Sequence, residues 1–221
     1  MNQLKPSFFL PVTLLVTALS FSSCEGIFEN IYDKPIESNT AITKERFNQV
    51  NTTSYTSWVY IQFDAPQATL VEIEENKTPD NWDIAIHRYD IKTNDGAVLK
   101  TDYTSIEELT KSGNLPQGTF YTDEWTTDKI AIDMSGMMDG HIVYTDSYYN
   151  PVLSTWLNVD TSTMPPVYTM SGNVYLIRLK DCTYAAIRFS NYTNAKGVKG
   201  YIDFDYKYPV EFNDNKINEQ R

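Results

Sequence analysis

The chain has 221 residues and a formal net charge of −11, with 41% hydrophobic and 21% charged residues. That length gives room for one domain around one core, or at most a small two-domain protein. The acidity excludes nucleic acid and anionic lipid as electrostatic partners, since neither offers a counter-charge, and 14% aromatics, with 16 tyrosines and 10 phenylalanines, exclude a disordered chain.

Lys5 precedes the apolar run Phe8–Phe21, which is too short to span a bilayer comfortably and is followed by small residues, as in a secretory signal over residues 1–23. The run ends Phe21-Ser22-Ser23-Cys24, which resembles the bacterial lipobox, so Cys24 is the expected lipidation site and the mature N-terminus. Without residues 1–23 the charge becomes −12. A lipidated Cys24 leaves only Cys182, which excludes an intramolecular disulfide. Cys182 falls in a hairpin turn, Lys180-Asp181-Cys182-Thr183, with no second thiol or histidine beside it.

Residues 24–56 read as a tether, rich in Asn and Thr, with a short helix expected around Ile42–Val50. The domain is expected over residues 57–209, and 210–221 as a polar tail. Ser57–Phe63 and Ala68–Glu74 alternate with period two and form a hairpin through Asp64-Ala65-Pro66-Gln67. Asn81–Asn94, NWDIAIHRYDIKTN, is apolar on both faces and is expected as one central strand in which His87 is a packed residue. Ser105-Ile106-Glu107-Glu108 fits a capping box with Gly113 as the stop, which predicts a helix over Ser105–Ser112.

Strands resume at Thr119–Thr122, Lys129–Met134, His141–Tyr144, Thr155–Val159, Val174–Leu179, Tyr184–Phe189 and Val198–Tyr208. In the last, Gly200, Ile202, Phe204 and Tyr206 alternate with Tyr201, Asp203, Asp205 and Lys207, so the two acids lie on an ordinary solvent face. Many short strands joined by turns predict an all-β fold of antiparallel sheets with one short peripheral helix.

The window Asp133–Met170 holds five of the six methionines and one of the two histidines. Thioether sulfur and imidazole nitrogen are donors that a soft or borderline iron centre accepts, but methionine also fills irregular cores, so ligation and packing both remain open readings. An enzyme is not expected: no G-x-S-x-G, H-E-x-x-H or phosphate-cradling glycine loop occurs, and two histidines leave little for a catalytic base.

The strand NWDIAIHRYDIKTNDGA, the Asp139-Gly140-His141 turn, Trp156-Leu157 through Pro166-Val167-Tyr168, the strand Val174–Arg178, and Tyr206-Lys207-Tyr208-Pro209 together resemble the HmuY family over roughly Ser57–Pro209. That resemblance implies a lipid-anchored haem-binding protein of the outer membrane, all-β, holding haem (iron protoporphyrin IX) between two loops at one end of the sheets. It places one axial histidine at His141. The second axial position falls on Thr161, which is no haem ligand, so Met164 on the same loop is the expected partner, with Met137 and Met138 as alternatives on the first loop. Tyr144 and Tyr168, with Tyr148 and Tyr149, would wall the pocket, and Lys129, Arg178 and Arg188 would offset the propionates. The implied role is hemophore-like capture at the cell surface, from sources such as host haemoproteins, and delivery to a TonB-dependent outer-membrane receptor. The rival reading keeps the scaffold without haem, as an adhesion module that recognises a glycan, peptide or host protein through Trp156 and the tyrosines.

Overall fold

Alternating apolar and polar positions give the chain its strands, and the computed structural model describes residues 41–43, 45–64, 67–71, 77–163 and 165–213. In chain order β1 is Ala41–Thr43, β2 Arg46–Asn51, β3 Val59–Gln62, β4 Thr69–Val71, β5 Ile84–His87, β6 Asp90–Thr93 and β7 Ala97–Lys100. The single α-helix of the described residues, α1, is Ile106–Ser112. There follow β8 Tyr121–Thr122, β9 Glu124–Gly136, β10 His141–Tyr149, β11 Leu157–Asp160, β12 Val167–Met170, β13 Tyr175–Arg178, β14 Tyr184–Thr193 and β15 Lys199–Lys207.

Two antiparallel sheets carry the fold. One has seven strands in the order β1-β2-β15-β14-β13-β7-β8, and the other has four in the order β4-β3-β5-β6. Their facing sides share one core: Phe47, Tyr175, Ile177, Ile187, Ile202 and Phe204 come from the larger sheet, and Ile61, Ile84, Ile86 and Ile91 from the smaller. Each is 0% exposed, which contributes about 1.5–3 kcal/mol per side chain. Successive strand residues point to opposite faces, so Leu176, between Tyr175 and Ile177, packs instead with Leu99, Leu109, Val210 and Phe212 under α1.

The helix follows its signals. Ser105 Oγ accepts from Glu108 N at 3.5 Å, Gly113 ends the helix in the left-handed conformation, and Leu109 is its buried anchor.

Asn81–Asn94 is not one strand. It is a hairpin in which His87 pairs with Asp90, and Arg88 and Tyr89 form the turn with Arg88 at φ +55°. Neither turn residue is a Gly, Asn or Asp, so the reversal carries no turn signature. The helix expected around Ile42–Val50 is also overturned, because β1 and β2 pair there. Phe47 and Val50 are three apart, as on a helix face, but Gln49 at φ +55° inserts a bulge that lets Phe47 face Phe204 and Val50 face Ile202. The expected tether over 24–56 therefore ends by residue 41, and the domain does not begin at 57. At the other end Val210 and Phe212 are buried, so the core runs past the expected boundary at 209. Residues 1–23, Cys24, Ala65 and Pro66 lie outside the described residues.

Candidate functional site

Two hairpins stand apart from the main sheets, each a two-stranded sheet of its own: β9 with β10, and β11 with β12. Both ends of the first are pinned to β6. Asp123, just before β9, accepts from Thr93 N at 2.7 Å and Thr93 Oγ1 at 3.0 Å; Asn150, just after β10, donates through its backbone N to Ile91 O at 2.6 Å. The two ends are also joined, Asn150 Nδ2 donating to Asp123 Oδ1 at 3.0 Å. Burial raises the Asp123 carboxyl above its usual range, and the donors from Thr93 and Asn150 partly restore its ionised form. These clamps were not expected from sequence. Asn150-Pro151 marks a turn, but nothing local says that both of its amide groups are used to hold a hairpin.

The tip of this hairpin is a single 3-10 turn, Met137–Asp139, closed by Gly140 N donating to Met137 O at 3.1 Å. His141 follows immediately and pairs across the strand with Gly136. A Cβ at Gly136 would lie 2.7 Å from the His141 carbonyl oxygen and 2.9 Å from its Cβ, so only glycine lets the two strands close beneath the imidazole. His141, Met138 and Tyr144 are exposed and Met137 is half-buried, so three of the sequence-predicted groups share one tip, with Tyr144 three residues further down β10. At the base Trp125 meets Tyr148 edge to face at 5.0 Å. The opposite face, with Ile130 and Thr126 buried, turns to the body.

In the second hairpin Leu157 pairs with Met170 and Val159 with Tyr168. Tyr168 is half-buried, stacked on Tyr192 with centroids 5.3 Å apart, and Lys199 Nζ lies 3.8 Å over its ring. It is thus packed against the body of the protein rather than free at the hairpin tip. Thr161 and Thr163 are exposed at the tip, and Met164 lies outside the described residues.

The exposed large hydrophobic side chains of the described residues are Tyr121, Trp125, Met138, Val143, Tyr144, Tyr148, Val167 and Met170. All belong to these two hairpins or to β8 beside them, and Met138 reaches 68% exposure. Exposed apolar side chains concentrated on two hairpins of an acidic protein mark candidate binding surfaces. Cavities among the described residues include one of about 700 Å³ between α1 and the outer face of the large sheet, one of about 440 Å³ lined by Trp82, Lys92, Asn94, Asp123 and Tyr148 at the base of the first hairpin, and one of about 10 Å³ beneath the second hairpin. None of the three is lined by His141, Met137, Met138 or Tyr144.

The other expectations divide. His87 is a framework residue, 2% exposed, its Nε2 2.8 Å from the Tyr55 carbonyl. Trp156, the proposed contact of an adhesion module, is fully buried in the core and is no surface residue. Arg178 lies over Phe120 at 5.4 Å, and Arg188, which donates to Gly172 O at 3.2 Å, lines the cavity beside α1. Among the described residues no group of three or more His, Cys, Asp and Glu side chains converges on a metal position.

The HmuY protein family matches residues 54–206 of this chain. The crystal structure of a candidate HmuY-like haem-binding protein from Bacteroides vulgatus is 50% identical, with a TM-score of 0.71 over 78% of this chain and 98% of its own. That of a candidate lipoprotein from Bacteroides fragilis is 49% identical, with a TM-score of 0.70 over 80% of this chain and 100% of its own. The apo HmuY analogue of Tannerella forsythia is 29% identical, with a TM-score of 0.59 over 79% of this chain and 97% of its own. No curated protein matches the chain.

Proposed function

We propose, because the chain belongs to the HmuY family, that it is a haem-binding lipoprotein whose two separate hairpins would hold the macrocycle. The observation that carries this reading is the gathering of the exposed apolar and aromatic side chains onto those hairpins, around a tip that presents His141. A flat apolar ligand needs such walls, and an iron centre needs a donor that stands clear of the core. The exposed apolar side chains and His141 are of the kinds required, which supports a fit of the residues present to the group.

His141 supplies the imidazole. Met164 would supply a thioether, with Met137 and Met138 as the alternatives on the first hairpin. Haem brings the iron chemistry; the protein orients it and shields its faces, and no covalent change of the ligand is involved. An imidazole–thioether pair favours ferrous iron more than two imidazoles do, so binding is tighter under reducing conditions. Lipidation at Cys24 would anchor the protein at the outer-membrane surface, from which haem passes to a TonB-dependent receptor.

Titration of the purified protein with hemin tests the reading. A sharp Soret band that weakens at least tenfold in apparent affinity in His141→Ala, and vanishes in the His141→Ala/Met164→Ala double variant, is the expected result. A spectrum identical to free hemin overturns haem binding; equal affinity for ferric and ferrous haem overturns the thioether assignment. Cys24→Ser, fractionated from cells, tests the anchor: the protein should leave the membrane fraction.

A further inference from the structure

Arg88 and Lys199 are neighbouring cations that form no ion pair with a carboxylate among the described residues, in a chain whose net charge is −11. Both line the small cavity beneath the second hairpin, together with Trp156, Tyr168 and Tyr192. Each is held in place by something other than an acid. Lys199 Nζ lies 3.8 Å from the Tyr168 ring centroid; the Arg88 guanidinium lies 4.5 Å over Tyr55 and donates through Nη1 to the Thr53 carbonyl at 2.8 Å.

The backbone makes room for them. Arg88 sits at φ +55°, an uncommon conformation for a residue other than glycine. Gly200, at φ +92°, is where a Cβ would come within 3.1 Å of Arg88 Nη1 and 3.2 Å of the Thr53 Cα, so a side chain there would push the guanidinium away. Burial chiefly, and then the nearby Arg88 charge, lowers the Lys199 pKa. Such an arrangement is unfavourable alone and becomes favourable when an anion docks between the two groups.

The position says which anion. Tyr168 pairs with Val159, and Thr161 follows the end of β11 at Asp160, two residues further along. Thr161 is the second axial position of the resemblance, so the two cations lie beneath the hairpin that would carry one side of the ligand site. The cavity itself, about 10 Å³, has room for a single carboxylate oxygen or a water and not for a ring system.

We propose that Lys199 and Arg88 bind one propionate carboxylate of haem and so fix which edge of the macrocycle faces the protein. This rests on the haem-binding reading above. It also replaces Arg178 and Arg188, which face other parts of the fold, as the groups that offset the ligand's charge.

The test compares haem with its dimethyl ester, in which both carboxylates are masked, by Soret titration of the wild-type protein, Lys199→Gln, Lys199→Arg and Arg88→Gln. The expected result is that wild-type protein prefers haem over the ester by about tenfold, the scale of a charge-assisted hydrogen bond. Lys199→Gln loses most of that preference, Lys199→Arg keeps it, and the Soret maximum stays where it was because the axial donors are untouched. Lys199 is partly exposed, so its variants should retain the wild-type unfolding midpoint even if Arg88→Gln does not. Equal affinity for haem and ester, or a preference that survives Lys199→Gln, overturns this inference and leaves haem binding standing. Absence of any Soret change with wild-type protein overturns the haem-binding reading, and this inference with it.

Discussion

The indole ring of Trp156 stacks on Phe189 with centroids 4.3 Å apart and planes 28° from parallel, while its Nε1 donates to the Tyr89 carbonyl at 2.9 Å. One side chain therefore fastens the start of β11 to the large sheet and to the turn of the small one. Trp156→Ala should destabilise the domain by about 3–5 kcal/mol in urea unfolding. Trp156→Phe keeps a stacking ring but leaves the Tyr89 carbonyl without its donor, and should cost about 1–3 kcal/mol. A stable Trp156→Ala protein that had lost only ligand binding would restore the adhesion reading, in which this indole is a surface contact.

His141 behaves oppositely. It is exposed at a hairpin tip, so His141→Ala should change stability by no more than about 0.5 kcal/mol. The same unfolding experiment separates the two roles: a large loss of stability would mean that His141 holds the tip together and that any spectral change is secondary.

Gly136→Ala should weaken hemin binding more than it weakens the fold. The new methyl group would sit 2.7 Å from the His141 carbonyl, a backbone atom that cannot step aside, so the strand carrying His141 must shift. A misplacement near 1 Å suffices to cost about tenfold or more at a ligating position. Titration should show that loss, with a thermal midpoint lowered by only a few degrees because the tip contributes little to the core.

Asp90 predicts a pH dependence. Burial pushes its pKa from 3.8 to about 7, a rise that Lys129 only partly opposes. An acid whose pKa rises on folding binds its proton more tightly in the native state. Between about pH 4 and 7 the folded chain therefore carries more protons than the unfolded one, and this group's contribution to stability falls as pH rises through that window. Asp90→Asn should accordingly melt about 3 °C or more above wild type at pH 8 and show no such gain at pH 4.5. An equal difference at both pH values would mean that Asp90 is ionised throughout.

A chain beginning at Ser54 should not fold properly, although the family match itself starts there. It would lack β2, which covers the edge of β15, and with it Phe47 and Val50, both 0% exposed. Loss of two such side chains, together with an uncovered strand edge, should give aggregation in size-exclusion chromatography. A monodisperse, cooperatively melting product would show that β1 and β2 are dispensable.

How far the sequence could be read follows from the range of the interactions involved. The alternation in β15 and the cap at Ser105 are local, and both appear as expected. The hairpin between β5 and β6 was missed because Arg88 and Tyr89 turn the chain without any turn residue; β2 was missed because a bulge at Gln49 gives a strand the spacing of a helix. At the site, His141 and its turn were legible from Asp139-Gly140-His141. Tyr168 could be placed near it in sequence but not packed against the body, since its neighbours Tyr192 and Lys199 come from other strands.

By itself the sequence determined the strand-rich class, the short helix, the buried role of His87 and the tip that bears His141, because period, caps and turn residues act within a few positions of one another. Only the tertiary structure decided that Trp156 belongs to the core, that the exposed aromatics of the described residues lie on two hairpins and β8, and that Arg88 and Lys199 line one cavity with no ion-paired carboxylate among the described residues. Those facts depend on residues up to about a hundred positions apart meeting across sheets, and the energy that brings them together, burial of apolar surface, has no direction along the chain.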